Sequence, residues 1–269
     1  MARTLDAAGQ LLRAMRGHYV RLYAIATSAL RRAENGDAFA QRVQDLLRVP
    51  LRTLSGEEEA AASYRGALTA FDGQPNQRTG VLDIGGGSTE YAVGDSATPQ
   101  AVTSCEIGAV RLTEAIPQLS GTGDAGAVER ARAMAREALA PIAECAAVER
   151  VALVGGSATT TAAIVRKRPT AQSTTMLTRD DLAAALERLV PMTLDERKAV
   201  PGMRAQRADI LPAGIIVLDE ALAAIGQDRA VATTADLLLG VLLQERDAER
   251  GRLPHERHAD PRAYRRTGS

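Results

Sequence analysis

One segment restricts the fold more than any other: Val81-Leu-Asp-Ile-Gly-Gly-Gly-Ser-Thr-Glu90. Its apolar run reads as a buried strand that delivers Asp83 to its end. Three glycines then turn the chain back into a return strand from Ser88 to Val93. Glycine tolerates positive φ and lets backbone N–H groups come close to a ligand. Ser88 and Thr89 add hydroxyl donors, while Asp83 and Glu90 stand where a carboxylate can hold Mg²⁺ or orient water. Backbone donors plus a hard cation are what a phosphate needs. A glycine hairpin with polar decoration is the plainer reading, but three consecutive glycines are a poor choice for a connection alone. Gly85, Gly86, Gly87, Ser88 and Thr89 are therefore read as phosphate-binding, and Asp83 as the metal ligand.

Three further segments carry chemistry. Leu153-Val-Gly-Gly-Ser-Ala-Thr-Thr160 ends a strand in paired glycines and starts a helix with hydroxyl residues. Such a helix start offers free N–H groups and a positive dipole end, so Gly155, Gly156 and Ser157 form a second candidate phosphate site. Any tight strand-to-helix turn can look alike, and the segment gains weight only beside the first loop. Leu54-Ser-Gly-Glu-Glu-Glu-Ala60 reads as a helix start capped by Ser55, with Glu58 completing a capping box. Glu57 fits a cap-and-dipole role, whereas Glu59 is the candidate general base for hydrolysing a phosphoanhydride. In Ala26-Thr-Ser-Ala-Leu-Arg-Arg-Ala33, Arg31 could clamp a phosphate through its planar fork, although lone surface arginines are common. The triplet Arg166-Lys167-Arg168 reads as a solvated helix end, or as an extension of a polyanion track.

Composition narrows the alternatives. The 269 residues carry zero formal net charge, which argues against a protein that coats nucleic acid or anionic membrane through bulk charge. Apolar residues make up 45% and aromatic ones only 3%, so Ala, Leu and Val must fill the core. Cys105 and Cys145 have neither metal-ligand nor disulfide-framework spacing, and read as reduced thiols of a cytoplasmic protein. Histidine is limited to His18, His255 and His258, which speaks against a His-based triad or metal site. No stretch reads as a secretory signal or a membrane span.

Along the chain, Leu5, Leu11, Leu12 and Met15 space as one helix face, and Val20–Ala26 reads as a strand. Asp37 is expected to cap a helix reaching Leu47, with a short strand over Pro50–Leu54. The Gly/Pro/Asn-rich run of residues 71–80 reads as a link. Beyond it come a third strand over Ala101–Cys105 and a long helix capped by Asp124 and reaching about Ala147. A strand over Val151–Val154 follows, then a helix from Ser157. Helices over Asp180–Leu189 and Gln206–Ile225, a strand over Ala230–Thr233 and a helix from Ala235 finish the pattern. The class is α/β, with a mixed sheet whose first strands form a meander. The tail from Gly251 reads as mobile.

In order and spacing, the four chemical segments resemble the exopolyphosphatase / guanosine pentaphosphate phosphohydrolase family. DIGGGSTE is similar to that family's second phosphate loop, and SGEEEA to the segment whose last glutamate, here Glu59, is catalytic. TSALRRA is similar to a phosphate-contacting TSALR segment, which raises the case for Arg31. Ile107–Leu112 and Arg207–Gly214 resemble segments read as structural. The resemblance implies a two-lobed, ribonuclease-H-like fold of the actin, sugar-kinase and heat-shock ATPase class. Its expected layout is a truncated first lobe over residues 1–72, a second lobe over 79–250 and a tail over 251–269. The first lobe counts as truncated because nothing here matches the family's opening strands and DIGSNS-type loop. Ala235-Asp-Leu-Leu-Leu-Gly240 stands where relatives show a GLREG-like segment, which puts a polar contribution there in doubt.

The implied activity is Mg²⁺-dependent release of terminal phosphate from inorganic polyphosphate or pppGpp, with Glu59, Asp83 and Glu90 catalytic. The expected partners are that substrate and at most a second copy in a homodimer, with no specific nucleic acid and no membrane. Two alternatives stay open: a phosphate-binding regulatory remnant without turnover, and a sugar- or acyl-kinase-like phosphotransferase.

Overall fold

A computed structural model describes residues 2–252 except Arg16, residues 18–20, Arg32, residues 72–76, Ala146 and residues 169–173. The chain starts with the amphipathic helix α1 (Ala2–Met15). β1 (Ala24–Ala26), the single turn α2 (Ser28–Arg31), α3 (Gly36–Leu47) and β2 (Leu51–Thr53) follow, and β1 and β2 pair in parallel. α4 (Gly56–Leu68) starts with a complete capping box. Ser55 Oγ accepts from the Glu58 amide (3.1 Å), and the Glu58 carboxylate accepts from the Ser55 amide (2.8 Å). Two orphan amides are thus satisfied at the point where the helix must be held in place.

The remaining strands form one mixed sheet. β3 (Thr79–Ile84), β4 (Thr89–Gly94) and β5 (Ala101–Cys105) make an antiparallel meander, as the glycine hairpin and the strands after it suggested. α5 (Ala109–Ala115) and α6 (Ala125–Ala143) lead to β6 (Arg150–Val154), which returns beside β3 and parallel to it. α7 (Gly155–Arg166), β7 (Thr175–Thr178), α8 (Arg179–Leu189), α9 (Leu194–Lys198), α10 (Leu211–Ala224), β8 (Arg229–Ala232) and α11 (Leu237–Arg252) complete the chain. Across the sheet the order is β5-β4-β3-β6-β8-β7.

Both faces of this sheet are covered. On one, Ala60, Tyr64 and Ala67 of α4 pack against Val81, Ala92, Ala152 and Val154, with α11 alongside α4. On the other, α10 lies at the centre among α5, α6, α7 and α8, and every residue from Leu211 to Leu222 is buried. Each Leu or Ile fully buried there contributes about 1.5–3 kcal/mol. Continuous burial explains why α10 lacks a polar stripe. No helix among the described residues is long and apolar enough to cross a membrane.

Several boundaries differ from expectation. Described pairing at the first strand starts at Ala24, and Val20 lies outside the described residues. Asn35, not Asp37, occupies the N-cap of α3, and Asp37 sits in the first turn where its charge suits the dipole. Asp124 caps α6 as expected, accepting from the Ala127 amide (2.7 Å), but the helix ends at Ala143. The expected 206–225 helix is split into a 3₁₀ turn (Ala205–Arg207) and α10. α11 starts at Leu237 because the Asp236 carboxylate accepts from the Leu238 amide (3.0 Å). β7, α5 and α9 were not expected from periodicity. Much of the expected link, all of the tail beyond Arg252, and His18, His255 and His258 lie outside the described residues.

Candidate active site

β3 and β6 run parallel and end level with each other, Asp83 lying opposite Val154. The two glycine turns, Gly85–Ser88 and Gly155–Ser157, therefore leave the sheet side by side. Gly155 has φ +89°, and a Cβ there would stand 2.7 Å from the Ile84 carbonyl oxygen and 3.0 Å from Asp83 Oδ1. Only glycine lets the second turn press against the first.

The first turn is shaped by docking, not by left-handed backbone: Gly85, Gly86 and Gly87 are not among the residues with positive φ. This corrects the conformational reason given for those glycines. Gly85 N–H donates to the Ser88 carbonyl (3.0 Å). The Gly85 carbonyl accepts from the Ala109 amide (3.0 Å), and the Gly86 carbonyl from the Val110 and Arg111 amides (2.8 and 3.0 Å). Gly108 makes this possible, since a Cβ there would come within 2.7 Å of the Gly86 carbonyl. With the loop carbonyls turned onto α5, the N–H groups of Gly86, Gly87 and Ser88 have no backbone acceptor among the described residues.

Antiparallel pairing places Glu90 directly opposite Asp83, and Ser104 opposite Glu90. Directly opposed residues share a sheet face, here the face covered by α4. Ser63 Oγ of α4 donates to Asp83 Oδ2 (2.5 Å), and Ser104 Oγ donates to Glu90 Oε1 (3.1 Å). Glu59 lies one helical turn before Ser63 and is buried; its carboxylate is held by Arg31, whose guanidinium also donates to the Leu54 carbonyl. The structure thus joins Glu59 and Arg31 to each other, an arrangement that sequence spacing did not suggest.

The electrostatics follow from this crowding. Burial pushes the Asp83 carboxyl up to about 6, against the hydrogen bond from Ser63, while Asp236 and Glu59 add repulsion. Burial likewise pushes Glu90 up to about 7, against hydrogen bonds from Ser88 and Ser104, and Asp83 and Glu59 raise it further. Both acids hold their protons because burial and neighbouring carboxylates outweigh the hydroxyl hydrogen bonds.

Two expected ligand side chains face elsewhere. Thr89 is fully buried and its hydroxyl donates to the Ile107 carbonyl (2.6 Å). Strand alternation sends it to the face opposite Glu90, so it ties the meander to the core instead of meeting a phosphate. Ser157 is buried against Gly214 of α10, which leaves its amide, not its hydroxyl, for the site. α7 begins at Gly155, earlier than expected, and Val154 at its N-cap makes no side-chain cap bond. The first amides of α7 are accordingly unsatisfied by the helix itself.

The structure adds residues that motif reading missed. The Arg207 guanidinium lies directly on Gly156, where a Cβ would overlap it. Arg207 belongs to a segment assigned a structural role from sequence, yet it stands at the head of α7. Arg197, fully buried, secures that segment by donating to the Leu119 (2.6 Å), Leu189 (2.8 Å), Val190 (3.1 Å), Ala208 (3.5 Å) and Gly121 carbonyls. Ser63 was discoverable from its i+4 spacing to Glu59. In the 235–240 segment, Asp236 stands near enough to add repulsion to Asp83.

Among the described residues no three Asp, Glu, His or Cys side chains converge as a metal cage. Mg²⁺ does not require one, since it commonly uses one or two carboxylates together with waters and substrate phosphates. Asp83 and Glu90, opposed across two strands beside free loop amides, fit such an open site. Cys105 and Cys145 are both free thiols.

The sequence model of the Ppx/GppA phosphatase family matches residues 1–248. Exopolyphosphatase 2 of Mycobacterium tuberculosis (strain ATCC 25618 / H37Rv) is 32% identical over 242 residues, covering 84% of this chain and 75% of the relative. The crystal structure of the Aquifex aeolicus Ppx/GppA family member superposes with a TM-score of 0.77 at 25% identity, over 92% of this chain and 81% of the other. An exopolyphosphatase structure from Cytophaga hutchinsonii, 24% identical, gives a TM-score of 0.83 over 92% and 82% of the two chains and speaks to the fold. The fold is therefore the mixed α/β architecture with a central sheet that the solved members of this family share, as the sequence resemblance implied.

Proposed function

Because the chain belongs to the Ppx/GppA phosphatase family, we propose that it is a Mg²⁺-dependent phosphoanhydride hydrolase that releases terminal phosphate from inorganic polyphosphate or pppGpp. The observation that carries this reading is the opposed Asp83–Glu90 pair, with Glu59 above it and two glycine turns at its edge. A cytoplasmic setting, with reduced Cys105 and Cys145, is part of the same reading.

The terminal phosphoryl group sits between the Gly86, Gly87 and Ser88 amides and the first turn of α7, with the Arg207 guanidinium at its flank. Asp83 and Glu90 would hold Mg²⁺, which when bound would supply positive charge against the phosphoryl oxygens. Glu59 accepts a proton from the attacking water, which lies in line with the anhydride bond. Ser63 and Ser104 hold Asp83 and Glu90 toward the site. Arg31 orients Glu59, and an arriving phosphate competes with Glu59 for its guanidinium, so substrate binding itself readies the base.

The test is phosphate release from polyphosphate and from pppGpp, with and without Mg²⁺, alongside ligand titration. Mg²⁺-dependent release supports the hydrolase. Binding without release points to the regulatory alternative, and transfer of phosphate to an added sugar or acyl acceptor to the phosphotransferase.

A further inference from the structure

Three parallel strands, β3, β6 and β8, stand side by side, and their C-terminal ends lie at one edge of the sheet. The first two end in the glycine turns. The third runs on past Ala232, where the Thr233 amide donates to the Leu153 carbonyl (3.0 Å) and keeps the chain against β6. The Ala235 amide then donates to Thr233 Oγ1 (3.1 Å), and Asp236 follows at the head of α11. A further acid thus reaches the edge that carries Asp83.

Glycine packing fixes where Asp236 stands. α11 crosses α4 so closely that a Cβ on Gly66 would overlap the Asp236 carbonyl, and one on Gly240 the Ala62 carbonyl. Gly66 lies three residues beyond Ser63, on the same side of α4. One turn of α4 therefore meets Asp83 through the Ser63 hydroxyl (2.5 Å) and the Asp236 backbone through Gly66. Burial is the main reason that the Asp83 carboxyl is pushed up, and Asp236 adds more repulsion to it than Glu59 does.

Helix capping uses only part of the Asp236 carboxylate. Its Oδ1 accepts from the Leu238 amide (3.0 Å). The residue is half-buried, and no cation or further donor meets its side chain among the described residues. Asparagine or serine would cap α11 equally well without setting another negative charge near Asp83. Like charges gathered in this way favour a cation that arrives from outside. Since no three acids converge as a cage among the described residues, Asp236 is not a third direct ligand beside Asp83 and Glu90.

We propose that Asp236 is a positioning residue of the active site, which strengthens divalent-cation binding at Asp83 and Glu90 through its charge and through water. The proposal rests on the hydrolase reading for the place of Mg²⁺.

The experiment titrates Mn²⁺, followed by the electron paramagnetic resonance signal of the free ion, into the intact protein, Asp236→Asn and Asp236→Ala. Thermal unfolding and the Mg²⁺ dependence of phosphate release from inorganic triphosphate are measured alongside. Asp236→Asn keeps the cap, so its unfolding temperature should match that of the unaltered protein, while Mn²⁺ binding weakens about tenfold. The Mg²⁺ concentration for half-maximal phosphate release should rise by a similar factor. Asp236→Ala should lose the same affinity and also unfold at a lower temperature, because its cap is gone. Unchanged Mn²⁺ affinity in Asp236→Asn, a loss of affinity confined to Asp236→Ala, or no Mn²⁺ binding by the unaltered protein would overturn the role of Asp236. Phosphate release that persists alongside unchanged Mn²⁺ affinity in Asp236→Asn would sink that role and leave the hydrolase reading standing. Mn²⁺ binding that weakens in Asp236→Asn, with no phosphate released by any of the three proteins, would do the reverse.

Discussion

Two pairs of acids on opposite sides of the same sheet, three of the four buried and Asp83 half-buried, are treated in opposite ways. Asp219 and Glu220, on α10, are surrounded by guanidinium groups. Arg132 reaches both (2.5 and 2.6 Å), Arg179 reaches Asp219 (2.7 Å) and Arg136 reaches Glu220 (3.0 Å). Asp83 and Glu90, under α4, receive among the described residues only hydroxyl hydrogen bonds, and burial pushes both carboxyls upward, to about 6 and about 7. A buried carboxylate without a cation is costly, and a structure with arginines to spare does not leave one unpaired for packing reasons. The first pair ties α10 to α6 and α8. The second is left for a cation and a phosphate that arrive from outside.

Glu59→Gln probes the functional side of that contrast most severely. Turnover should fall about 10²–10⁴-fold, the scale of a lost general base, with ligand affinity little altered, whereas Glu57→Gln on the exposed side of α4 should be mild. Equal small effects at both positions in a phosphate-release assay would reduce the segment to a helix cap. On the structural side, Arg132→Leu strands two buried carboxylates and should destabilise the fold by about 3–5 kcal/mol in denaturant unfolding. A loss below about 1 kcal/mol would show that Arg136 and Arg179 suffice without it.

Removing charge from the other pair should have the reverse sign. The folded carboxyls titrate near 6 and 7, above ordinary carboxylate values of about 4, so the native state binds protons more tightly than the unfolded state. Their contribution to stability is therefore full below about pH 4 and is lost as pH rises through 6 and 7. Asp83→Asn or Glu90→Gln should thus raise stability at pH 8 by about 1–3 kcal/mol, with the gain fading toward pH 4. The two groups titrate as a coupled pair, so the substitutions should not be additive. Thermal unfolding across pH checks this, and a gain independent of pH would mean that packing, not charge, is responsible. The smallest effect belongs to Arg136→Ala. Its side chain is 57% exposed, and loss of its bond to Glu220 should cost less than about 1 kcal/mol. A larger loss in the same unfolding assay would make it an equal partner of Arg132.

The legible parts of the molecule were those governed by near neighbours. The Ser55–Glu58 box and the Asp124 cap are interactions over three residues, and both formed as read. The glycine turns after Ile84 and Val154 were visible as breaks at the ends of apolar runs, and the family resemblance directed attention to Glu59 and Arg31. Hydroxyl roles were harder. Ser88 and Thr89 are adjacent, and only the register of β4 against β3 and β5 sends Thr89 to the Ile107 carbonyl. Arg207 lies 51 positions beyond Gly156 in the chain, so no local pattern could pair them.

The sequence alone determined the strand-turn-strand segment around Asp83, the capped helix that carries Glu59 and the α/β class, because caps, turns and alternation depend on residues a few positions apart. Tertiary structure decided which atoms share the site. The parallel pairing of β3 and β6 brought the two turns together, and the register of β3 with β4 set Asp83 against Glu90. The packing of α4 put Ser63 on Asp83, Arg31 was spent on Glu59, and Arg207 was laid on Gly156. Those outcomes depend on contacts between segments far apart in the chain, where burial and charge pairing are settled for the whole molecule at once.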